Sequence, residues 1–276
     1  MSQQISQLFD VTGQVAVVTG GTGVLGGAMA RCLAANGAKV AILGRSAEKA
    51  KVVLDDIAQA GGEAAFYPAD VTDEKNIEGI ASEIKAAWGR VDILVNAAGG
   101  NNPKATATPD QLFFDLPSEA LNGVMKLNII GTMVPSQVFG RIMTEQKSGN
   151  IINISSMAAM RPLTKVIGYS ASKAAIDNFT FWLSVYMNQN YGEGIRVNAI
   201  APGFFLTEQN RFLLTDKDSG ALTPRGETII SQTPMGRFGD QDELNGTLLW
   251  LCSPAAKFVT GIVVPVDGGF SAFSGV

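Results

Sequence analysis

Residues 14–26 read QVAVVTGGTGVLG, and this stretch decides the fold class. Its first half, residues 14–19, is rich in β-branched residues and predicts a short buried strand. Glycines follow at once, and residues 24–36 then carry the small and apolar spacing of a helix. A strand that runs through glycines into a helix can bring backbone N–H groups against a phosphate. Taken alone, the pattern also fits a plain tight turn.

The alternation of strands and helices continues along the chain. Six further strands are predicted at residues 39–43, 64–67, 91–96, 150–155, 196–200 and 262–266. Further helices are predicted at residues 47–60, 76–88, 119–146, 166–190 and 242–251. Apolar strands separated by helices are typical of parallel sheets covered by helices on both faces. The sequence therefore predicts one doubly wound α/β domain over residues 1–276, with about seven parallel strands.

The composition excludes several functions. The 276 residues include no histidine, which excludes Ser-His-Asp and Cys-His systems and histidine-ligated zinc, and no metal site is predicted. Two cysteines cannot form a disulfide framework. The net charge of −4, without a basic patch, argues against nucleic acid as a partner. No signal peptide or long apolar stretch is present, so no membrane partner and a cytoplasmic location are expected.

Two irregular segments are candidates for substrate loops. Residues 99–117 and 207–234 are rich in turn-forming residues, and each follows a predicted strand. Loops after the carboxyl ends of strands usually line the ligand crevice of an open α/β sheet.

A tyrosine and a lysine spaced four residues apart carry the candidate chemistry. Tyr169 and Lys173 share one face of a predicted helix. A free tyrosine has a pKa of about 10 and is a poor acid at neutral pH, but a neighbouring ammonium lowers that pKa. Such a pair is usually only a solvated face. Here, however, Ser156 follows a predicted strand upstream, and Asn128 lies among apolar helical residues.

The order of these motifs resembles the short-chain dehydrogenase/reductase superfamily over essentially the whole chain. The matching pieces are residues 19–26, Asp70-Val71, Asn96-Ala97-Ala98-Gly99, Asn128, Ser155-Ser156, Tyr169, Lys173, Pro202-Gly203, Thr207 and residues 266–269. The resemblance implies a Rossmann-type dinucleotide-binding domain. One departure stands in the glycine turn: the family places glycine at position 24, where this chain has Val24 after Gly23. Gly23 is expected to supply the permissive backbone dihedral instead.

The resemblance implies a role for each matching residue. Tyr169 would protonate a carbonyl oxygen, Ser156 would hydrogen-bond that oxygen, and Lys173 would lower the pKa of Tyr169 and hold the nicotinamide ribose. Asn128 would hold a water that links Lys173 to solvent. The remaining residues implied to bind the cofactor are Gly20, Thr22, Gly23, Val24, Leu25, Gly26, Asp70, Val71, Asn96, Ala97, Ala98, Gly99, Pro202, Gly203 and Thr207.

The end of the second strand bears on cofactor choice. An acid there would bind the ribose 2′-hydroxyl of NAD, but this chain has Gly44 followed by Arg45. The charge and planar fork of an arginine suit a 2′-phosphate, so NADP(H) is favoured. Arg45 stacked on adenine, or simply solvated, is the alternative, and NAD(H) is then the cofactor.

Further motifs, including Ala98-Gly-Gly-Asn101, residues 134–140, residues 202–211 and the tail 267–276, resemble the D-mannonate oxidoreductase (fructuronate reductase) branch. The resemblance implies that the substrate is a sugar acid, with D-fructuronate and D-mannonate as the pair. A carboxylate with several hydroxyls needs a cation and polar donors. The candidates are Asn101, Arg161, Lys165, Gln209 and Arg211.

Other functions stay open at this point. Related reactions are the reduction of 5-ketogluconate and of 3-oxoacyl thioesters, although no basic cluster for a phosphopantetheine arm is visible. A catalytically idle cofactor-binding sensor is the alternative from another class. The helix at residues 166–190 is apolar nearly all round, so burial on most faces is expected. The resemblance also implies a closed homodimer or homotetramer.

Overall fold

Seven parallel strands form the centre of the molecule, as the sequence predicts. The computed structural model describes residues 5–206, 211, 214–217 and 219–275. The strands lie in the order β3-β2-β1-β4-β5-β6-β7. Their bounds are β1 Val15–Thr19, β2 Lys39–Gly44, β3 Glu63–Pro68, β4 Ile93–Asn96, β5 Gly149–Ile154, β6 Ile195–Pro202 and β7 Val263–Val266. This arrangement is a Rossmann-type sheet.

Helices cover both faces of the sheet. The principal helices are α1 Ile5–Leu8, α2 Val24–Ala35, α3 Ala47–Gln59, α4 Glu74–Trp88, α5 Ser118–Met125, α6 Gly131–Gln146, α7 Met157–Met160, α8 Ile167–Tyr191, and two later ones at Pro224–Ser231 and Asn245–Cys252. One apolar cluster includes Leu33 of α2 and Leu248 near the chain end. The other includes Ile84 of α4, Phe139 of α6 and Leu183 of α8. Burying both faces leaves the carboxyl edge of the sheet as the open edge for a site.

The predicted helix 119–146 is interrupted by one π-helical turn. Between α5 and α6, the segment Lys126–Ile130 follows a wider helical register, and the Gly131 N–H bonds to the Lys126 carbonyl five residues earlier. Pro135 lies within α6 and has no N–H to donate. Single π turns often occur at functional sites, because the extra residue changes the direction of a side chain. Asn128 is the central residue of this turn.

Two other predicted segments also differ from the structure. Residues 242–251 form a 3₁₀ turn, Gln241–Leu244, before the helix Asn245–Cys252. Asp240 caps that turn through a reciprocal capping box with Glu243, which favours the tighter start. The segment 207–234 is less irregular than expected, because Pro224–Ser231 is helical. Pro224 at the first position and the Thr223 cap are both typical of a helix start.

The face of α8 that points away from the sheet is exposed, contrary to the burial on most faces expected from the sequence. Trp182 is 56% exposed and stacks on Tyr186 at 4.9 Å between ring centroids. Phe181, Val185 and Tyr191 are exposed beside them. Among the described residues, those that cover α8 belong to β6 and the neighbouring helices. Among the described residues, no helix combines the length and apolar character needed to cross a bilayer.

Candidate active site

A cleft of about 560 Å³ opens at the carboxyl ends of the central strands. It lies where the strand order reverses between β1 and β4, the usual ligand crevice of this type of sheet. Seventeen of the residues expected at the site line it: Gly20, Thr22, Gly23, Val24, Leu25, Gly26, Arg45, Asp70, Val71, Ala97, Ala98, Gly99, Ser156, Tyr169, Lys173, Pro202 and Gly203. The structure therefore brings the expected cofactor-binding residues and three of the expected catalytic residues into one cavity.

The glycine turn after β1 leaves no room for side chains. A Cβ at Gly20, where φ is +65°, would lie 2.8 Å from the backbone of Ala98. A Cβ at Gly26 would lie 2.4 Å from the Gly20 carbonyl oxygen. Gly23 does not supply a left-handed dihedral as expected, because its φ of −86° and ψ of 171° are open to any residue. The permissive position in this turn is Gly20.

The N-terminus of α2 is suited to bind a diphosphate. Gly23 is the N-cap, and no side chain caps the first N–H groups of the helix. Those N–H groups and the helix dipole favour an anion at this end. These amides belong to Val24, Leu25 and Gly26, and all three residues line the cleft. The local geometry thus fits the phosphates of a dinucleotide without any basic side chain.

At the end of β2 the cleft is lined by Gly44 and by basic residues that follow it in the chain. A Cβ at Gly44 would lie 2.7 Å from the Thr22 side chain, so any larger residue at this position would require Thr22 to move. Arg45 and Lys49 both line the cleft. Lys49 lies in the first turn of α3, where its N–H bonds to the hydroxyl of Ser46 at 3.2 Å. Sequence reasoning missed Lys49, although its spacing of four residues from Arg45 could have indicated it.

Asp70 and Val71 also line the cleft. Hydrogen bonds from the backbone and the hydroxyl of Thr72 lower the pKa of Asp70, and the charges of Lys126 and Arg45 add to the effect. Asp70 is therefore a carboxylate at neutral pH, held in place by the turn that follows β3.

Ser156 and Tyr169 lie together at the inner end of the cleft. Ser156 follows β5 and caps α7, where its hydroxyl accepts from the Ala158 N–H at 3.1 Å. Burial raises the pKa of Tyr169, and a hydrogen bond with Ser156 opposes that rise. The Lys173 ammonium lies 5.5 Å from the Tyr169 ring centroid and donates to a backbone carbonyl, so the lowering of the Tyr169 pKa by Lys173 stays a prediction.

Lys173 is almost completely buried, at 4% exposed. Its Nζ donates to the Ile154 carbonyl at 2.7 Å, which joins α8 to the last residue of β5. Burial lowers the pKa of Lys173 to about 8, and the negative charge of Asp177 opposes this fall. The side chain is thus a cation near neutral pH and titrates just above it.

Asn128 does not line the cleft but holds the loop that does. Its side-chain oxygen accepts from the Gly100 N–H at 3.1 Å, and its amide donates to the Gly100 carbonyl at 2.7 Å. A Cβ at Gly99 would lie 2.7 Å from that side-chain oxygen. The Asn128 backbone carbonyl accepts from the Thr132 hydroxyl at 2.8 Å. Asn128 therefore fixes the start of the loop after β4.

Asn96 is the expected cofactor residue that the structure places elsewhere. Its amide donates to the hydroxyl of Ser136 and to the side-chain oxygen of Asn153, both at 2.9 Å, inside the sheet and α6 layer. Asn96 is 2% exposed and does not line the cleft. It is the last residue of β4, and the alternation of side chains along a strand turns it away while Ala97 faces the cavity.

The four described members of the expected substrate set are not among the residues that line the cleft. Asn101 bonds to Thr106 at 2.8 Å within the loop, and Arg161 donates from Nε to the Ser271 carbonyl at 2.9 Å. Lys165 and Arg211 are exposed, with backbone carbonyls that accept from Ala107 and Thr215. Gln209 and Thr207 lie outside the described residues. No group of three or more Cys, Asp or Glu that could hold a metal occurs in the described part of the chain.

Phe204 and Phe205 also line the cleft, and Phe205 is buried in the apolar core behind it. Phe204 meets Phe270 edge-on at 5.1 Å, so the tail after β7 packs beside the cleft. Both phenylalanines also line a neighbouring cavity of about 380 Å³. The position of Phe204 depends on its contact with Phe270, which follows β7. No local sequence pattern predicts a contact between segments so far apart in the chain.

Known proteins share this architecture along the whole chain. A family model described as enoyl-(acyl carrier protein) reductase matches residues 21–271. An uncharacterized oxidoreductase of Bacillus subtilis, UxuB, is 49% identical over 97% of this chain and 98% of its own length. The chain belongs to the short-chain dehydrogenase/reductase family, and it is a nicotinamide-dependent oxidoreductase of that family.

Two solved structures are similar in fold and in sequence. A Haemophilus influenzae protein with bound NAD, named as a candidate D-mannonate oxidoreductase, superposes with a TM-score of 0.91. It is 44% identical, over 99% of this chain and all of its own. A Beutenbergia cavernae protein named as a candidate NAD(P)-dependent gluconate 5-dehydrogenase, with NADP at low occupancy, gives a TM-score of 0.84. It is 33% identical, over 96% of this chain and all of its own.

Proposed function

We propose that the protein interconverts the keto group and the secondary alcohol of a sugar acid, with D-fructuronate and D-mannonate as the pair. The observation that carries the chemistry is the grouping of Ser156, Tyr169 and Lys173 on one wall of a cleft whose other end fits a dinucleotide. The similarity to the Haemophilus influenzae protein supports the choice of substrate. Enzymes of this kind need one proton donor, one oxygen ligand and one bound hydride carrier.

In this mechanism the chain itself handles the proton. Ser156 and Tyr169 offer two hydroxyl groups that are joined to each other, so both can contact one substrate carbonyl oxygen. Tyr169 gives its proton to that oxygen in reduction and takes it back in oxidation. Lys173, buried beside the Tyr169 ring, stabilises the phenolate that remains after proton transfer. When bound, the nicotinamide supplies the hydride for reduction or accepts it for oxidation.

The cofactor would be held by the glycine turn after β1 and by the residues that line the cleft after β3 and β4. The turn from Gly20 to Gly26 would take the diphosphate, and Asp70, Val71 and the segment Ala97–Gly99 would contact the adenosine half. Arg45 and Lys49 both line the cleft at the end where a 2′-phosphate would reach, and Gly44 stands where an acid would bind the 2′-hydroxyl of NAD. NADP(H) is therefore our preferred cofactor, with NAD(H) as the alternative that the Haemophilus influenzae relative uses in its structure.

A cation near the mouth of the cleft would recognise the substrate carboxylate. Arg161 is our first choice, because it follows α7 beside Ser156 and its Nε is already fixed on the tail. The guanidinium then keeps its terminal nitrogens for a second partner. Asn101, Lys165, Gln209 and Arg211 remain the other proposed substrate contacts.

The deciding experiment is an absorbance assay of the purified protein with D-fructuronate, using NADPH and NADH in parallel. D-Tagaturonate, 5-keto-D-gluconate and an acetoacetyl thioester are run beside it. Efficient turnover of D-fructuronate alone supports the proposal. If 5-keto-D-gluconate is turned over faster by a factor of ten or more in kcat/KM, the proposed substrate is wrong.

Reduction of 5-keto-D-gluconate is the second candidate function. The similarity to the Beutenbergia cavernae protein favours it, and both substrates carry a carboxylate at the end of a polyhydroxy chain. The two have the keto carbon at the same distance from the carboxylate and differ in configuration at the carbon next to the carboxylate, so contacts to that hydroxyl, rather than the position of the cation, discriminate between them. The homodimeric or homotetrameric state and the cytoplasmic location stay predictions.

A further inference from the structure

Asp177 lies on the face of α8 that carries the proposed proton donor. Tyr169, Lys173 and Asp177 follow one another at intervals of four residues, so all three lie along one side of the helix. Asp177 is half-buried, and the site described so far gives it no role. A carboxylate at this depth needs hydrogen bonds or a counter-charge to remain ionised.

The Asp177 carboxylate is joined to the end of β5. The Ser155 hydroxyl donates to Asp177 Oδ1 in a short hydrogen bond. Ser155 is 1% exposed, and its N–H bonds to the Ile200 carbonyl at 2.8 Å, so the sheet holds it firmly. The next residue is Ser156, which lines the cleft. The bond between Ser155 and Asp177 therefore fixes the position of Ser156 relative to Tyr169 and Lys173.

Asp177 is also the counter-charge for the buried ammonium. The described hydrogen bond from Lys173 Nζ goes to a neutral carbonyl, and no ion pair to Lys173 is present among the described residues. The elements packed against α8 present few charges: Arg196 on β6, the exposed Glu119 on α5 and the exposed Lys126 of the π turn, with none on α7 or β5. Among the described charged groups, Asp177 is the one whose negative charge favours the charged form of Lys173.

The two interactions of Asp177 are reciprocal. Burial raises the pKa of Asp177, while the Ser155 hydrogen bond and the charge of Lys173 lower it. In turn, the carboxylate opposes the loss of the Lys173 proton that burial favours. Each buried charge is thus stabilised by the other, although they do not touch.

We propose that Asp177 is a positioning residue that keeps Lys173 an ammonium and, through Ser155, holds Ser156 in register with Tyr169. The proposal rests on the proposed function, in which Lys173 stabilises the Tyr169 phenolate. It is separable from that function, because the charge state of Lys173 can be measured without any substrate.

The test is a ¹³C NMR titration of the full-length protein labelled with [ε-¹³C]lysine. The Lys173 resonance is identified by its loss in Lys173→Met. In Asp177→Asn, we expect the Lys173 titration midpoint to fall by about 0.5–1 pH unit, because the opposing charge is gone. The alkaline limb of kcat for ketone reduction should move down by the same amount. Asp177→Glu, which restores the charge, should restore the midpoint.

One further variant separates the two roles, one is a control, and one is a reserve for Asp177→Asn. Ser155→Ala keeps the carboxylate, so Lys173 should titrate closer to the wild-type midpoint than in Asp177→Asn. Asp55→Asn, on the exposed surface of α3, should change nothing. Asp177→Ser is the second neutral variant if the amide disturbs folding. An unchanged Lys173 midpoint in the neutral variants overturns the proposal, as does an equal fall in Asp177→Glu. Full activity of Tyr169→Phe would instead reject the proposed function.

Discussion

The Lys173 ammonium and the Ile154 carbonyl oxygen are 2.7 Å apart, so a charged group of α8 is bonded to the last residue of β5. This bond spans the two elements that carry the proposed catalytic residues. Ser156 continues from β5, and Tyr169 lies one turn before Lys173 on α8. The geometry of the proton donor therefore depends on a contact between a helix and a strand rather than on a loop, which favours a rigid site.

Replacing Tyr169 by phenylalanine should abolish turnover and leave cofactor binding intact. The ring stays packed beside Lys173, but no hydroxyl remains to transfer a proton. Loss of a general acid typically lowers kcat by about 10²–10⁴-fold. Steady-state kinetics and fluorescence titration with NADPH check both parts. Tyr191→Phe, at an exposed tyrosine at the end of α8, is the control. Wild-type turnover in Tyr169→Phe contradicts the mechanism.

Arg45→Asp should move cofactor preference from NADPH toward NADH. A 2′-phosphate would lose a charge-assisted partner and meet a carboxylate, while a 2′-hydroxyl would not. We expect the ratio of kcat/KM for NADPH over NADH to fall at least about tenfold, since charged hydrogen bonds contribute about 1.5–3 kcal/mol. Lys49→Ala should lower it less. Lys51→Asp reverses an exposed charge on the same helix and serves as the control. An unchanged ratio in Arg45→Asp removes Arg45 from cofactor recognition.

Arg161→Gln should raise KM for D-fructuronate with little change in kcat. Loss of one charge-assisted contact to a carboxylate corresponds to about a tenfold or larger rise in KM. Because Arg161 also holds the Ser271 carbonyl, Arg161→Lys tests whether charge alone is sufficient. Lys165→Gln is the matched neighbour. If Lys165→Gln raises KM and Arg161→Gln does not, the carboxylate contact belongs to Lys165.

The buried Lys173 should give stability a distinct pH dependence. Its pKa falls from the ordinary 10.5 to about 8 in the folded protein. Between these values the unfolded chain holds a proton that the folded chain has released, so unfolding becomes less favourable as pH rises. From pH 8 to 10, wild type should gain about 1.4 kcal/mol of unfolding free energy per pH unit relative to Lys173→Met.

Urea unfolding at several pH values measures this difference. The comparison with Lys173→Met cancels the titration of groups that the two proteins share. Lys51→Met, at a lysine with a largely exposed side chain, should run parallel to wild type. Parallel curves for Lys173→Met would show that Lys173 does not titrate in this range.

Gly26→Ala should impair both folding and cofactor binding. The added Cβ would lie 2.4 Å from the Gly20 carbonyl, and backbone must move to relieve the contact. Overpacking of this kind costs about 1–3 kcal/mol. Gly79→Ala is the matched control, because Gly79 lies in α4 with no atom near its Cβ position. That change should stabilise the fold by about 0.5–1 kcal/mol. Equal stability of the two variants contradicts the close contact.

Local pattern was sufficient to predict the sheet and most helices, and family resemblance to predict the residues of the cleft. Val15–Thr19 and the helix Val24–Ala35 follow directly from periodicity. The π turn around Asn128 could not be predicted, because one extra residue in a helix leaves the apolar spacing nearly unchanged. The place of Asn96 was also unpredictable, since a motif gives position along the chain but not the face of the strand.

The sequence also did not predict the positions of two charged side chains that depend on how separate elements pack. Lys49 faces the cleft because α3 begins directly after Arg45 and Ser46. Asp177 reaches Ser155 only because α8 packs along the end of β5. Neither position follows from a periodic pattern within a short stretch of sequence. Both positions are clear only from the packed structure. The residues that line the cleft were therefore predicted better than Lys49 and Asp177.

The order of the sheet divides the work of the cleft between two parts of the chain. The walls formed by β1, β2 and the turn after β3 belong to the first half, and Ser156, Tyr169 and Lys173 belong to the second. Substitutions that alter the surroundings of Arg45 and substitutions that alter the proton-transfer residues therefore fall in different parts of the sequence, and the Pro202-Gly203 turn links the two parts by returning to the cleft from the second half.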